Sequence, residues 1–241
     1  MTISKKVEAE INKVPIGTTF TYQSLVVDFN EYAAAAKAIE RLIKKKVIKR
    51  VSTGVFFKPK KTIFGELMPR EDELLKNYLF EKNKRIAYIT GLSLYNKLGL
   101  TTQVPSTIKI ASRDKRIFAS LGNLKGKPVK SYIDVSDKNY YVLEILDALK
   151  DFKQIPDMDK KSGVLLLTDK IKNWDDADKK LALKYVLKYP PRVRALYGAI
   201  VENVLTPEEV KSLQDSLNPL SQYEYNISEA ILPNAKNWNI R

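Results

Sequence analysis

Apolar residues at 3, 7, 11 and 14, with lysine and glutamate between them, keep the spacing of one helix face and predict a helix over residues 3–14. Pro15 and Gly17 end it. Residues 18–20 are β-prone and too short for more than one bridging strand. Thr21 is placed to cap a second short helix over 22–27, with Leu25 and Val26 facing inward. Asn30 is placed to cap a third helix over 31–46. On it, Tyr32, Ala35, Ala36, Ile39, Leu42 and Ile43 make an apolar stripe, and Ala33, Ala34, Lys37, Arg41 and Lys44 lie opposite. Two β-branched or aromatic segments follow, 47–51 and 55–57. They are joined by Ser52, Thr53 and Gly54, where the glycine offers the positive φ that a tight hairpin needs.

Further along, residues 58–69 hold two prolines, a glycine and little periodicity, and read as a linker. A helix is expected over 70–83, with Leu74, Leu75, Tyr78 and Leu79 on one face, then a strand over 85–89. After a short helix and a glycine stop, strands are expected at 106–111 and 130–135 and a helix at 140–152. The apolar stretch 163–167 fits either type. Helices follow at 175–187, 192–204 and 207–217, the last opened by a capping box of Thr206 and Glu209 with Pro207 at its first position. The fold class is therefore α+β. Helix, short strand, helix, helix and hairpin is the order of a winged helix-turn-helix, expected over residues 1–62. A larger mixed α+β domain is expected over 63–241.

Composition narrows the chemistry. Hydrophobic residues make up 44% and charged residues 29%, the balance of an ordinary folded protein. No apolar run approaches the roughly 20 residues of a membrane span, and the N-terminus lacks a signal-peptide core, so the expected location is the cytoplasm, away from membranes. Cysteine and histidine are both absent. That excludes disulfides, zinc–thiolate sites, cysteine nucleophiles and serine–histidine or cysteine–histidine pairs. No metal or other cofactor is expected, and no enzyme activity.

Charge adds direction. The chain carries a formal +14, and residues 1–60 hold twelve Lys and Arg against five acids, so a quarter of the length carries half of the net charge. A polyanionic partner is expected, and double-stranded DNA suits the order of elements. Ala33 and Ala34 would let the third helix approach the floor of a groove, with Lys37, Arg41 and Lys44 reaching phosphates or base edges. Lys49, Arg50, Thr53, Lys58 and Lys60 surround the hairpin wing, where phosphate contacts belong. The run Lys44, Lys45 and Lys46 also meets the negative end of the helix macrodipole.

Competing readings use the same residues. A winged helix also serves as a protein-interaction module, whose binding would not weaken steeply with salt. Pro156 and Asp157, followed by Asp178, Lys179 and Lys180, match the loose spacing of a magnesium-dependent nuclease, a pattern easily met by chance in this composition. Arg192 and Arg194 follow Pro190 and Pro191 near a helix N-terminus, a candidate anion site that competes with a salt bridge inside the domain.

The stretch 88–105 carries Gly91, Leu92, Ser93, Leu98, Gly99, Leu100, Thr101, Gln103, Val104 and Pro105, and with these it resembles the AbiEi-type antitoxins of bacteria. The segment "RVSTGVFFKP", 50–59, is similar to the wing of that family. "YPPRVRALYGAI", 189–200, resembles a segment of a related bacterial branch. The resemblance covers most of the chain and is strongest between about 15 and 110. It implies a transcriptional autorepressor and antitoxin of a type IV toxin–antitoxin system. The winged helix would bind promoter inverted repeats. The C-terminal domain would neutralise a nucleotidyltransferase-type toxin encoded nearby, without need of a stable complex. In that domain the leucines of the motif read as core and Gly99 as a helix stop, while Gly91 and the polar Ser93, Thr101, Thr102 and Gln103, which are expected to be exposed, are the candidate functional positions.

Overall fold

The structure is a computed structural model that describes residues 2–25, 29–63, 65–121 and 124–241. Helices and strands both contribute, and the fold is α+β. The chain divides into two compact units, Met1–Tyr78 with Ala119–Lys125, and Leu79–Phe118 with Gly126–Arg241.

In the first unit, α1 (Ile3–Lys13) buries Val7 and Ile11, and α2 (Tyr32–Lys44) buries Ala35, Ala38, Ile39 and Leu42. Strands β1 (Thr19–Thr21), β2 (Lys49–Ser52) and β3 (Val55–Phe57) form an antiparallel sheet in the order β1-β3-β2. Pairing sets Phe20 opposite Phe56 and Arg50 on the other side of Phe56. The central strand is covered on both faces, so Val55, Phe56 and Phe57 are all buried. Phe20 lies 5.8 Å from Phe56, and Tyr22 meets the same ring edge-on at 5.3 Å.

Local chemistry shifts several boundaries. The second short helix is a single 3-10 turn, Gln23–Leu25, closed by Ser24, whose hydroxyl accepts from the Thr21 amide at 3.0 Å. Val26, expected on its inner face, lies outside the described residues. Asn30 does not cap α2, because a 3-10 turn (Phe29–Glu31) runs directly into it and Glu31 takes the cap position. At the other end Lys46 adopts φ 58°. Its amide reaches the Ile43 carbonyl and that of Val47 the Leu42 carbonyl, a left-handed stop built on lysine where glycine is usual.

The expected linker is instead a second hairpin. Strands β4 (Lys60–Thr62) and β5 (Gly65–Leu67) pair with Lys61 opposite Glu66, and α3 (Glu71–Leu79) follows. Their exposed lysines and glycine give no alternating apolar signal, so the pattern hides them. The first unit consequently continues past residue 62 to 78. Glu73 of α3 secures it: the Thr19 amide donates to its carboxylate at 2.9 Å, and the Thr19 hydroxyl donates to its backbone carbonyl at 3.0 Å.

In the second unit the helix expected to reach 83 stops at Leu79, and β6 (Phe80–Glu81) and β7 (Lys84–Arg85) turn through Lys82 and Asn83, both at positive φ. Strand β8 (Ala87–Thr90) pairs antiparallel with β9 (Thr107–Ser112), Ile89 opposite Ile110, and β11 (Leu124–Lys130) flanks β9. Before β11 stands β10 (Ala119–Leu121), which belongs to the first unit. The strand expected at 130–135 therefore lies earlier. Past Lys130 the Ser131 hydroxyl donates to the Ile133 carbonyl at 2.7 Å and turns the chain out of the sheet.

Helices α4 (Leu92–Leu98), α5 (Tyr140–Asp151), α6 (Lys160–Lys172), α7 (Asp176–Val186), α8 (Pro191–Val201) and α9 (Pro207–Asp215) complete this unit. Residues 163–167 belong to α6. The capping box of α9 is formed, with Thr206 and Glu209 exchanging bonds of 2.9 and 3.3 Å. Leu143 of α5 packs on Tyr88 and Ala111 of the sheet, and α8 is buried along most of its length. The tail after α9 closes the core: Trp238 lies over Gly198, where an added Cβ would come within 2.3 Å of the indole. Among the described residues no helix is long and apolar enough to cross a membrane.

Candidate nucleic-acid interface

Periodicity fixes which side of α2 meets the core, so the residues between the apolar positions form its outer surface. Ala33, Ala34, Lys37, Arg41 and Lys44 are all exposed there, as is Glu40. Small side chains occupy the N-terminal half of this face and cations the C-terminal half. Such a face approaches a flat surface closely at one end and meets negative charge at the other.

The β2–β3 hairpin follows after the lysine-built stop. Its turn places Thr53 outward and Gly54 at φ 76°. The cations around it are engaged differently. Lys49 pairs with Glu66 of the second hairpin, and that hydrogen bond holds the Glu66 carboxyl below the usual carboxylate range. The Arg50 guanidinium lies 5.5 Å from the centre of the Phe56 ring. Lys58 donates to the Asn12 carbonyl at 3.4 Å, so it tethers the end of α1. Lys60 is exposed on β4, which moves it from the first hairpin to the second. Of the expected wing cations, Lys49 and Lys58 hold neighbouring elements, whereas Arg50 and Lys60 are exposed and form no ion pair with a described residue.

The antitoxin-like motif has a structural account at most positions. Gly91 sits at φ 71°, where a Cβ would lie 2.7 Å from the Lys109 chain, and Gly99 ends α4 in the left-handed region. Leu94 and Leu100 enter the large core; Ser93 and Thr101, expected to be exposed, are instead buried, because α4 and the turn after it pack against the core, and Thr102 is exposed. Gln103 is exposed, and its amide donates to Asp157 at 2.7 Å.

Asp157 and Asp178, the carboxylates of the nuclease-like spacing, have unrelated partners. Asp157 accepts from Gln103, and Asp178 accepts from the Tyr141 hydroxyl at 2.5 Å. Hydrogen bonding to Asp178 pushes the Tyr141 phenol up to about 12. Among the described residues, no group of three or more acidic or histidine side chains could hold a metal. Arg192 and Arg194 also diverge. Arg194 donates to the Ser216 carbonyl at 2.6 Å. Arg192 lines an open pocket of about 580 Å³ with Lys150, Lys153, Tyr223 and Tyr225.

Sequence reasoning missed a buried charge beside that pocket. Asp147 of α5 is 2% exposed and accepts from Tyr88 (3.0 Å), Thr90 (2.7 Å), Tyr189 (3.3 Å) and Lys150 (3.0 Å). Burial, then the Asp147 charge, drives the Tyr88 and Tyr189 phenols upward. Burial opposes the charge on Lys150, but Asp147 and Asp151 outweigh it and raise the ammonium's pKa. The only sequence signal was an aspartate on the apolar face of α5.

Comparison with known proteins adds fold but no chemistry. No curated protein matches the sequence. Among solved structures the chain is similar to the crystal structure of the RV2827C protein from Mycobacterium tuberculosis, with TM-score 0.56 and 12% identity over 94% of this chain and 86% of that one. Residues 6–122, which span the α2 face, both hairpins and the 91–105 motif, match the family of unknown function DUF6088.

Proposed function

We propose that the first unit is a winged helix-turn-helix that binds double-stranded DNA, and that the protein is a transcriptional autorepressor and antitoxin of a type IV toxin–antitoxin system. The observation that carries the reading is the outer face of α2. Ala33, Ala34, Lys37, Arg41 and Lys44 are exposed together, and a hairpin with exposed Arg50 and Thr53 follows directly. α2 enters the major groove. The small residues allow close approach, Lys37 and Arg41 read base edges, and Arg50 and Lys60 contact the phosphate backbone. The partner is the inverted repeats of the protein's own promoter. The second unit supplies protection against a nucleotidyltransferase-type toxin, a role that rests on the resemblance of residues 91–105 and requires no catalysis by this chain.

A mobility-shift titration of the full chain on its promoter fragment and on random duplex tests this. Lys37→Ala and Arg41→Ala should reduce discrimination between the two by about 1–3 kcal/mol per lost base contact. Arg50→Ala should weaken both duplexes alike. Ala34→Leu should obstruct docking without disturbing the core, and a folded Ala34→Leu protein with full operator affinity would overturn the reading. Coexpression of the full chain with a nucleotidyltransferase-type toxin encoded nearby tests the second role, which fails if the full chain confers no protection.

A further inference from the structure

Six residues, 113–118, join β9 to β10, and they read Arg-Asp-Lys-Arg-Ile-Phe. This loop borders an open pocket of about 540 Å³, within the range of roughly 300–1,000 Å³ typical of ligand sites. Arg113, Lys115, Arg116, Phe118 and Lys130 line it. Charge in the loop is already partly compensated. Lys115 is held by both oxygens of Glu81 at 2.7 Å, and Asp114 lies on the rim. Arg113 donates to the Ser131 carbonyl at 3.2 Å, one of the five donors of its guanidinium. Arg116 and Lys130 are exposed and form no ion pair with a described residue. The net balance stays positive.

Phe118 decides what such a pocket suits. Its side chain is 69% exposed, although the sheet beside it has a buried face to offer. An isolated exposed aromatic is unremarkable, but this one stands at the edge of a cationic concavity. That combination is the physical requirement for an unpaired nucleotide: a ring face for the base and cations for its phosphate. A duplex cannot use it, because base faces inside a helix are already stacked.

We propose that this pocket in the second unit binds single-stranded nucleic acid, with one base stacked on Phe118 and the flanking phosphates on Arg116 and Lys130. The site is separate from the duplex-binding face of α2 and does not depend on it.

Fluorescence anisotropy of the full chain with labelled oligothymidylate and oligouridylate tests the proposal, since both carry unpaired bases and only the second carries 2′-hydroxyls. Binding of either supports it, provided the residue dependence follows. Phe118→Ala should weaken that binding roughly 5- to 150-fold and leave its salt dependence unchanged. Arg116→Gln and Lys130→Gln should each flatten the salt slope by about 0.7. Phe118→Trp should restore affinity, with indole emission quenched as the strand binds. Variants Lys37→Ala and Arg41→Ala, which separate this site from the duplex-binding reading, should keep single-strand affinity. Unchanged affinity in a folded Phe118→Ala protein overturns the proposal, as does an equal loss of duplex binding in that variant.

Discussion

Lys49 on β2 and Glu66 on β5 form an ion pair that joins the two hairpins of the first unit. Under the duplex-binding reading proposed above, the pair withholds from DNA a lysine that a wing would offer to phosphate. Glu66→Gln should release it. Duplex affinity is expected to rise, with the salt slope steepening by up to about 0.9, the value of one phosphate contact. An unchanged slope in a salt titration means that Lys49 does not face DNA.

Glu73 should matter to the first unit although it lies beyond the sixty or so residues whose pattern suggests a winged helix. It receives the Thr19 amide and hydroxyl. Glu73→Ala strands a β1 backbone donor and should cost about 1–3 kcal/mol. Urea denaturation of the full chain, followed by a probe in the first unit, measures it. A loss below 0.5 kcal/mol would show that water replaces the carboxylate at no cost.

Gly198 gives a prediction whose sign is opposite to helix propensity. Alanine normally stabilises a mid-helix position by about 1 kcal/mol over glycine. Here the added methyl meets the Trp238 indole, so Gly198→Ala should instead cost about 1–3 kcal/mol. A blue-to-red shift in tryptophan emission should accompany it as the indole is displaced.

Asp147 should be the most sensitive charged position of the second unit. Asp147→Leu leaves Lys150 without its nearest counter-charge and removes the carboxylate that accepts from Tyr88, Thr90 and Tyr189, and should cost about 3–5 kcal/mol. Asp147→Leu combined with Lys150→Met should cost less than Asp147→Leu alone, because the stranded cation is gone. Chemical denaturation of the single and double variants gives the comparison.

Alkaline pH should expose the bond between Tyr141 and Asp178. The folded phenol titrates near 12, above the value of about 10 in an unfolded chain. The folded state therefore holds a proton that the unfolded state has lost, and stability falls as pH rises from about 10 through 12. Below 10 the contribution is fully present. Tyr141→Phe should flatten that decline, and ultraviolet absorbance should show one fewer late-titrating tyrosinate.

Much of this architecture was legible because its signals are local. The face of α2 follows from Ile39 and Leu42 against Lys37 and Arg41, and the capping box at Thr206 needs only four residues. The missed parts depend on partners distant in sequence. The β4–β5 hairpin is written in Lys60, Lys61 and Gly65, whose pairing replaces an apolar pattern. β11 contains Gly126 and Pro128, which argue against a strand until β9 lies beside it. The candidate interface was readable as a helix face but not as a set of free cations. Only three-dimensional contacts assign Lys49 to Glu66 and Lys58 to Asn12.

The Trp238 plug over Gly198 also sets an order of events during synthesis. Forty residues separate the two, so at ribosomal rates of about 5–20 residues per second the indole arrives roughly 2–8 s after its seat on α8. Until then the groove beside Gly198 presents apolar surface to water and to any chaperone in reach. A nascent chain stalled between these positions keeps a first unit whose residues have all been made, joined to a second that cannot close. The packing of one late side chain thus decides when the second unit can close.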